Sequence, residues 1–352
     1  MAQPLSQKPT VLLIGPSWIG DLVQCQALIQ LLKQRSGEPD VDLVIPSWAF
    51  PLAERLPGLR NTYELGVPHG QLGLKKRWEL ARQLRENQYD EAIVIPRSWK
   101  SALIPYAARI PKRTGYSGEH RYRLLNERRP DPTRHQIPYR KQILSLALPR
   151  SVPLPDPLPR PVLHVDRGNQ ARLLERLDPT GIRPRVALIP GAEYGPAKRW
   201  PLEHFASLAR KLLEEGKSVW IMGSARDQPL GGAIAGLAPG SRDFCGQTTL
   251  PDVVDLLSST DLAVTNDSGL MHVAAAVDIP LVCLYGSSSP RYTPPDCSHA
   301  RLLSLGLECS PCFARECPLG HLRCLRDLSV DRVLTELREL LQMSATLDPN
   351  PC

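Results

Sequence analysis

Long apolar runs are missing from this sequence. No stretch approaches the roughly 20 consecutive apolar residues that cross a bilayer, so a membrane-spanning helix is not expected. Near the N-terminus only Val11-Leu12-Leu13-Ile14 precedes Gly15 and Pro16, too little for a signal-peptide core, and a cytoplasmic protein is expected. Aromatic residues are scarce at 5%, and no RNP, KH or helix-turn-helix pattern occurs, so nucleic acid is not an expected partner. The nine cysteines, Cys352 among them, are an odd number, which argues against a complete disulfide framework. The Gly15-to-Asp21 segment is not G-x-G-x-x-G and no Gly-Lys-Ser/Thr follows it, so neither a dinucleotide fingerprint nor a P-loop is supported there. What remains is ample for folding: 352 residues, 42% hydrophobic and 22% charged, suit two globular domains. Periodic apolar segments recur from Thr10 to Met343 and exclude disorder over most of the length.

The formal charge of +7 is unevenly spread. Residues 1–150 hold 23 Lys+Arg against 13 Asp+Glu, whereas residues 151–352 hold 20 against 23. Within the first half, residues 97–150 alone carry 13 against 3. Such an excess suits an anionic partner, whether phosphorylated glycolipid, membrane surface or nucleic acid, or else a plain solvated face.

Apolar spacing predicts alternating strands and helices in the first half. Strands are expected over 10–15, 41–46 and 91–96, and helices over 21–35, 48–56, 73–87 and 98–109. The 73–87 helix is expected to bury a stripe of Leu74, Trp78, Ala81 and Leu84. Six prolines between Pro149 and Pro161 predict an extended linker over 151–165. The alternation then restarts, with strands over 185–191, 218–223, 262–266 and 280–286. Helices are expected over 201–216, 227–237, 250–259 and 268–277. A last amphipathic helix over 330–343, in a segment 329–352, is expected to lie back on the first domain. The fold class is therefore α/β: two Rossmann-like domains, 1–150 and 166–328, with parallel sheets whose strand C-termini face a central cleft.

Three strand-to-helix junctions carry chemistry. In Gly15-Pro16-Ser17-Trp18-Ile19-Gly20-Asp21 two glycines permit close backbone approach, and Asp21 is placed either as a general base or as a plain N-cap. In Pro190-Gly191-Ala192-Glu193-Tyr194-Gly195-Pro196-Ala197-Lys198-Arg199-Trp200-Pro201, Lys198 offers a point charge and Arg199 a fork to a pyrophosphate. In Thr265-Asn266-Asp267-Ser268-Gly269-Leu270-Met271-His272, the amides of Ser268, Gly269 and Leu270 open a helix as an anion site. His272 there is either a satisfied core histidine or a neutral hydrogen-bond donor, its protonation disfavoured by the helix dipole. Gly223-Ser224-Ala225-Arg226-Asp227 repeats the layout, and Asp227 could meet a ribose. Cations, amides and a carboxylate in these loops suit a nucleotide diphosphate, and none of the loops holds an Asp-x-Asp for a divalent metal.

These segments, together with Lys100-Ser101-Ala102-Leu103-Ile104-Pro105, Arg113-Thr114-Gly115-Tyr116, Gly286-Ser287-Ser288-Ser289-Pro290 and Thr293-Pro294-Pro295, resemble the signatures of the heptosyltransferases of glycosyltransferase family nine. The likeness runs in register from about residue 10 to about residue 342. It implies a GT-B fold and inverting transfer of L-glycero-D-manno-heptose from ADP-heptose, with no cofactor and no catalytic metal. The implied acceptor is the first heptose of a phosphorylated Kdo-lipid A core, reached from the cytoplasmic face of the inner membrane by peripheral contact. Alternatives are transfer of the preceding heptose or another GT-B nucleotide-sugar transfer, and, outside enzymes, an RNA- or membrane-surface-binding protein using residues 97–150. By the resemblance Asp21 is the general base and Lys198 stabilises the leaving diphosphate. The donor would meet Gly191, Lys198, Arg199, Asp227, Asp267, Ser268, Gly269, Leu270 and His272. The acceptor would meet Trp18, Gly20, Lys100 and Arg113. Where Asp227 stands, related enzymes carry a Glu.

One cluster is not absorbed by this reading. Cys309-x2-Cys312-x4-Cys317-x6-Cys324, with His321 nearby, fits either reduced structural thiols or a structural metal, zinc or iron–sulfur. The transfer chemistry requires neither.

Overall fold

The computed structural model describes residues 8–68, 70–132 and 135–347. The chain divides into two compact units between Pro161 and Val162. In the first unit, β1 (Thr10–Ile14), β2 (Asp40–Pro46), β3 (Asn61–Leu65), β4 (Glu91–Val94), β5 (Lys112–Tyr116) and β6 (Glu127–Arg129) form one sheet. Its order is β3-β2-β1-β4-β5-β6, and every pairing is parallel. Its helices are α1 (Ile19–Lys33), α2 (Phe50–Ala53), α3 (Leu74–Arg85), α4 (Trp99–Ala107) and α5 (Tyr139–Ser145). Val11–Ile14 and all of β4 are buried, the signature of strands covered on both faces.

The second unit opens with α6 (Arg167–Leu177). Its strands are β7 (Arg185–Ile189), β8 (Ser218–Ile221), β9 (Arg242–Asp243), β10 (Leu262–Asn266), β11 (Leu281–Leu284) and β12 (Ala300–Leu303). They form a second parallel sheet in the order β12-β11-β10-β7-β8-β9. Its further helices are α7 (Leu202–Glu214), α8 (Gln228–Leu237), α9 (Leu250–Leu257), α10 (Gly269–Ala276), α11 (Arg323–Arg326) and α12 (Val330–Leu347). Counted from its own first strand, this sheet repeats the winding of the first. Each order reverses at one point, between β1 and β4 and between β7 and β10, where doubly wound folds bind ligands outside the strand C-termini.

The sequence-predicted elements are present, several trimmed at their ends, and four of the differences are informative. The 48–56 helix reduces to a single 3-10 turn and the four residues of α2. On α3 the buried residues are Arg77, Leu80, Ala81 and Leu84, whereas Leu74 and Trp78 are exposed. The stripe is displaced because Arg77 can be buried: its guanidinium donates to Leu72 O (2.7 Å) and Lys100 O (3.2 Å). The proline-rich run is held on both sides, with Gln30 Nε2 on Arg160 O (2.7 Å) and Leu163 N on Ala276 O (3.1 Å). Finally, α12 places Val333, Leu334, Leu337 and Leu340 in the core of the second unit, with Trp200 and Phe205, where the sequence reading set this helix against the first domain. The tail beyond residue 347, Cys352 included, lies outside the described residues.

A buried polar knot ties the strands of the first unit together. Asp42, fully buried on β2, accepts from Arg60 Nε (2.9 Å) and Nη2 (2.8 Å), Asn61 N (3.0 Å) and Tyr89 Oη (2.5 Å). Burial pushes its carboxyl up, but the Arg60, Tyr89 and Asn61 hydrogen bonds outweigh that and hold it below the ordinary carboxylate value. Asp42→Ala should therefore destabilise the first unit by about 3–5 kcal/mol in urea unfolding, because Arg60 and Tyr89 lose their acceptor. The depressed native pKa means that this contribution is complete above about pH 4 and is lost as pH falls through the native value. An acid titration of stability should show that loss in the native protein and not in the variant.

Candidate active site

In the second unit the reversal of strand order sets two loops side by side. One follows β7 and carries Gly191 to Trp200; the other follows β10 and opens α10. Across them Lys198 Nζ meets Asp267 Oδ2 at 2.5 Å, with Asp267 buried and Lys198 nearly so. The Asp267 carboxylate also accepts from Thr293 Oγ1 at 3.3 and 3.4 Å. Tyr285 Oη in turn donates to Thr293 O at 2.8 Å and holds that residue in place. The Tyr194 ring centroid lies 5.1 Å from Lys198 Nζ and 5.2 Å from Arg315 Cζ, so the ring faces cationic neighbours.

Asn266 fixes the geometry of both loops. Its side-chain Oδ1 accepts from Trp200 N at 3.0 Å and its Nδ2 donates to Pro190 O at 2.7 Å. One buried amide thus clamps both ends of the loop that carries Lys198. Trp200 is itself pinned in the core by Nε1 donating to Leu328 O at 2.9 Å. Asn266 stands inside the Thr265-to-His272 motif, but its clamping role depends on Pro190 and Trp200, which are distant in sequence.

The remaining residues that the resemblance assigns to the donor fall on the same edge of the sheet. Ser268 is the N-cap of α10, followed by Gly269 and Leu270. The Ser268 hydroxyl makes no capping bond, and with Ser288 Oγ, beyond β11, it is buried without a hydrogen-bond partner. His272 is buried one turn further on, and burial pushes its imidazole below the ordinary value. Asp267 and Asp296 oppose that shift and Lys198 reinforces it. The neutral form is the one expected, though burial is the leading cause in place of the helix dipole. Asp227 closes a capping box, its Oδ2 accepting from Ser224 N (2.9 Å) and Ser224 Oγ (2.7 Å). A side chain on Gly191 would strike the same carboxylate, at 2.6 Å from Asp227 Oδ1, so the glycine lets Asp227 reach the β7 loop. The Arg199 guanidinium folds back on Ala192 O (3.2 and 3.4 Å), within its own loop.

In the first unit the corresponding reversal point lies between the loops after β1 and β4. Trp18 is the N-cap of α1, Gly20 is buried inside the helix, and Asp21 is its third residue in the first turn, half-buried. Asp21 is therefore not the N-cap. The space beside Gly15 is filled by Ile45, whose Cγ2 would lie 2.7 Å from an added Cβ, so this glycine serves sheet packing. Lys100 occupies the second position of α4, on the same edge. Arg113 does not reach that edge. It lies near the start of β5 and donates to Leu124 O (2.8 Å) and Ile110 O (2.6 Å). Trp48 and Trp99, like Trp18, are exposed just after the neighbouring strands β2, β4 and β1.

The sequence matches the model of glycosyltransferase family 9 (heptosyltransferase) over residues 77–323. It is 41% identical over 341 residues to the lipopolysaccharide heptosyltransferase 2 of Salmonella typhimurium strain LT2, covering 94% of this chain and 98% of that one. With the lipooligosaccharide heptosyltransferase 2 of Haemophilus influenzae it shares 41% identity over 345 residues, covering 94% and 99%. The solved structure of E. coli ADP-heptose LPS heptosyltransferase II aligns with a TM-score of 0.85 at 38% identity, covering 95% of this chain and 99% of that one.

Asn266→Ala should cost roughly 2–4 kcal/mol in urea unfolding, because the Trp200 N–H and the Pro190 carbonyl lose their partner. The sign for His272 follows from its depressed pKa: its contribution to stability is complete above about pH 6.5 and declines as pH falls below it, where the unfolded chain takes up the proton first. Stability measured between pH 7 and 5.5 should decline less steeply in His272→Gln than in the native chain.

Proposed function

The chain belongs to glycosyltransferase family 9, the heptosyltransferases, and from that premise we propose that it transfers L-glycero-D-manno-heptose from ADP-heptose onto the first heptose of the Kdo-lipid A inner core. The observation that carries the donor side is the Lys198–Asp267–Thr293 constellation at the strand reversal of the second unit. The identity with relatives named heptosyltransferase 2, sustained over nearly the whole chain, favours this acceptor over that of the preceding transfer. The same membership sets aside the reading as a non-enzymatic RNA- or membrane-binding protein.

The chemistry follows from charge. Asp21 accepts the proton of the acceptor hydroxyl as that oxygen attacks the anomeric carbon from the face opposite the diphosphate, so the configuration inverts. Negative charge grows on the departing ADP. Lys198, together with the amides of Ser268, Gly269 and Leu270 at the start of α10, stabilises it. The buried hydroxyls of Ser268 and Ser288 gain acceptors in phosphate oxygens, and neutral His272 donates without adding charge. Asp227 offers its carboxylate to the adenosine ribose. The counter-charge role falls to Lys198, so turnover needs no added divalent ion. Trp18, Gly20 and Lys100 form the acceptor side.

Contact with the inner membrane is peripheral in this reading. No helix among the described residues is long and apolar enough to cross a membrane. On α3, exposed Leu74 and Trp78 stand beside exposed Lys75 and Lys76, an apolar and basic face suited to an anionic leaflet.

The deciding experiment incubates purified protein with ADP-heptose and heptosyl-Kdo-lipid A, without added Mg²⁺, and looks for one added heptose by mass spectrometry. Product is expected; its absence under conditions where ADP-heptose still protects against thermal unfolding would move the acceptor elsewhere. Asp21→Ala should lower turnover by about 10²–10⁴ with ADP affinity unchanged. Near-native turnover in that variant would remove Asp21 as the base.

A further inference from the structure

The cysteines of the last loop converge in space. We propose that Cys309, Cys312, Cys317 and Cys324 bind one zinc-class divalent ion through their thiolates, and that this ion staples the 304–322 loop beneath the loop carrying Lys198. All four line a single cavity of about 20 Å³, together with Ser287 and His321. Four thiols are the complete ligand set of one tetrahedral ion. As the side chains stand, no three His, Cys, Asp or Glu among the described residues form a ready ligand set, so binding must draw the thiols inward by rotation about their χ1 bonds.

One further observation points to a ligand in this cavity. Ser287 is 1% exposed and lines the cavity, and its hydroxyl has no hydrogen-bond partner. Ligated sulfur would accept from it. His321 Nδ1 accepts from Arg323 N at 3.0 Å, which places the ring proton on Nε2 and leaves no free lone pair for a metal. The donor set is therefore four thiols, which favours zinc and similarly thiophilic ions, each thiol releasing its proton to solvent on binding.

The location says what the ion would do. Residues 304–322 contain no helix or strand, yet they brace the Lys198 loop. Arg315 O accepts from Ala197 N (3.0 Å), Phe313 O from Tyr194 Oη (2.8 Å), and Ser287 O from Phe313 N (2.6 Å). An added Cβ on Gly195 would strike Arg315 O, so the two loops are in tight backbone contact. Cross-linking this loop through an ion would pre-organise the loop above it. This second half of the proposal rests on the donor-site reading given above.

The test uses the full-length protein purified under reducing conditions, with zinc and iron counted by plasma mass spectrometry and the zinc replaced by Co²⁺. About one ion per chain is expected, with the sulfur-to-cobalt charge-transfer and visible bands of a tetrahedral thiolate site. Cys312→Ser and Cys317→Ser, both outside the apolar core, should lose the ion and raise the ADP dissociation constant about tenfold. Protein that takes up neither zinc nor cobalt at saturating metal would overturn the site, and several irons with acid-labile sulfide would overturn the single-ion assignment. If the variants lose the ion and keep native ADP affinity, the staple is wrong. If metal-loaded native protein fails to bind ADP, the donor reading fails and the metal site stands.

Discussion

A lysine held 2.5 Å from a buried aspartate is an expensive arrangement, and the second unit is organised around keeping it. Two charges removed from water must be compensated by each other and by fixed hydrogen bonds. Thr293 supplies one such bond, and Tyr285 holds Thr293. Asn266 locks the ends of the Lys198 loop, and Trp200 sinks the far end into the core. The result is a cation that cannot wander. A diphosphate arriving there would compete with Asp267 for a charge already positioned, so little reorganisation would accompany the growth of negative charge on the leaving group.

The two sheets share one winding order, and each unit puts its reactive loops where that order reverses. This explains why residues far apart in sequence act together: Lys198 and Asp267 are 69 positions apart and touch because β7 and β10 are neighbours. In the first unit the same logic sets the loop of Asp21 beside that of Lys100, since β1 pairs with β4. The resemblance to known heptosyltransferases singled out these residues one by one, and the topology brings their loops to common sheet edges.

The strands at the middle of each sheet, and the loops that follow them, were legible in the sequence because burial on both faces writes continuous apolar runs. The strands toward the edges were not, β5 (Lys-Arg-Thr-Gly-Tyr) included. β3, β6 and β9 read Asn-Thr-Tyr-Glu-Leu, Glu-Arg-Arg and Arg-Asp, with too little apolar patterning to signal a strand. The face of α3 was misread for a related reason, since a buried arginine satisfied by two carbonyls looks polar in any hydropathy pattern. Motif reading drew attention to Lys198, Asp267 and His272, whose chemistry is distinctive, and the structure places them together around α10. The guanidinium groups of Arg199 and Arg113 rest on main-chain oxygen, which no motif predicts, and Asn266, which holds other residues still, has no chemical signature of its own.

That use of arginine alters the meaning of the basic segment 97–150. Arg121 is fully buried and donates to Tyr116 O and Pro96 O, and although burial lowers it to about 10 it stays protonated at neutral pH. Arg113, Arg129 and Arg150 likewise bind carbonyls of Leu124, Leu148 and Arg128. These guanidinium groups act as mortar between strands and loops, with their phosphate-gripping geometry already used. Their charge still radiates, so the segment presents a diffuse positive field more than a set of forks. Such a field would favour any anionic surface within about a Debye length, would fade as ionic strength rises, and would not distinguish one headgroup from another. Discrimination among lipids must then come from the loops at the strand ends, which is where an enzyme that must choose one sugar hydroxyl needs it.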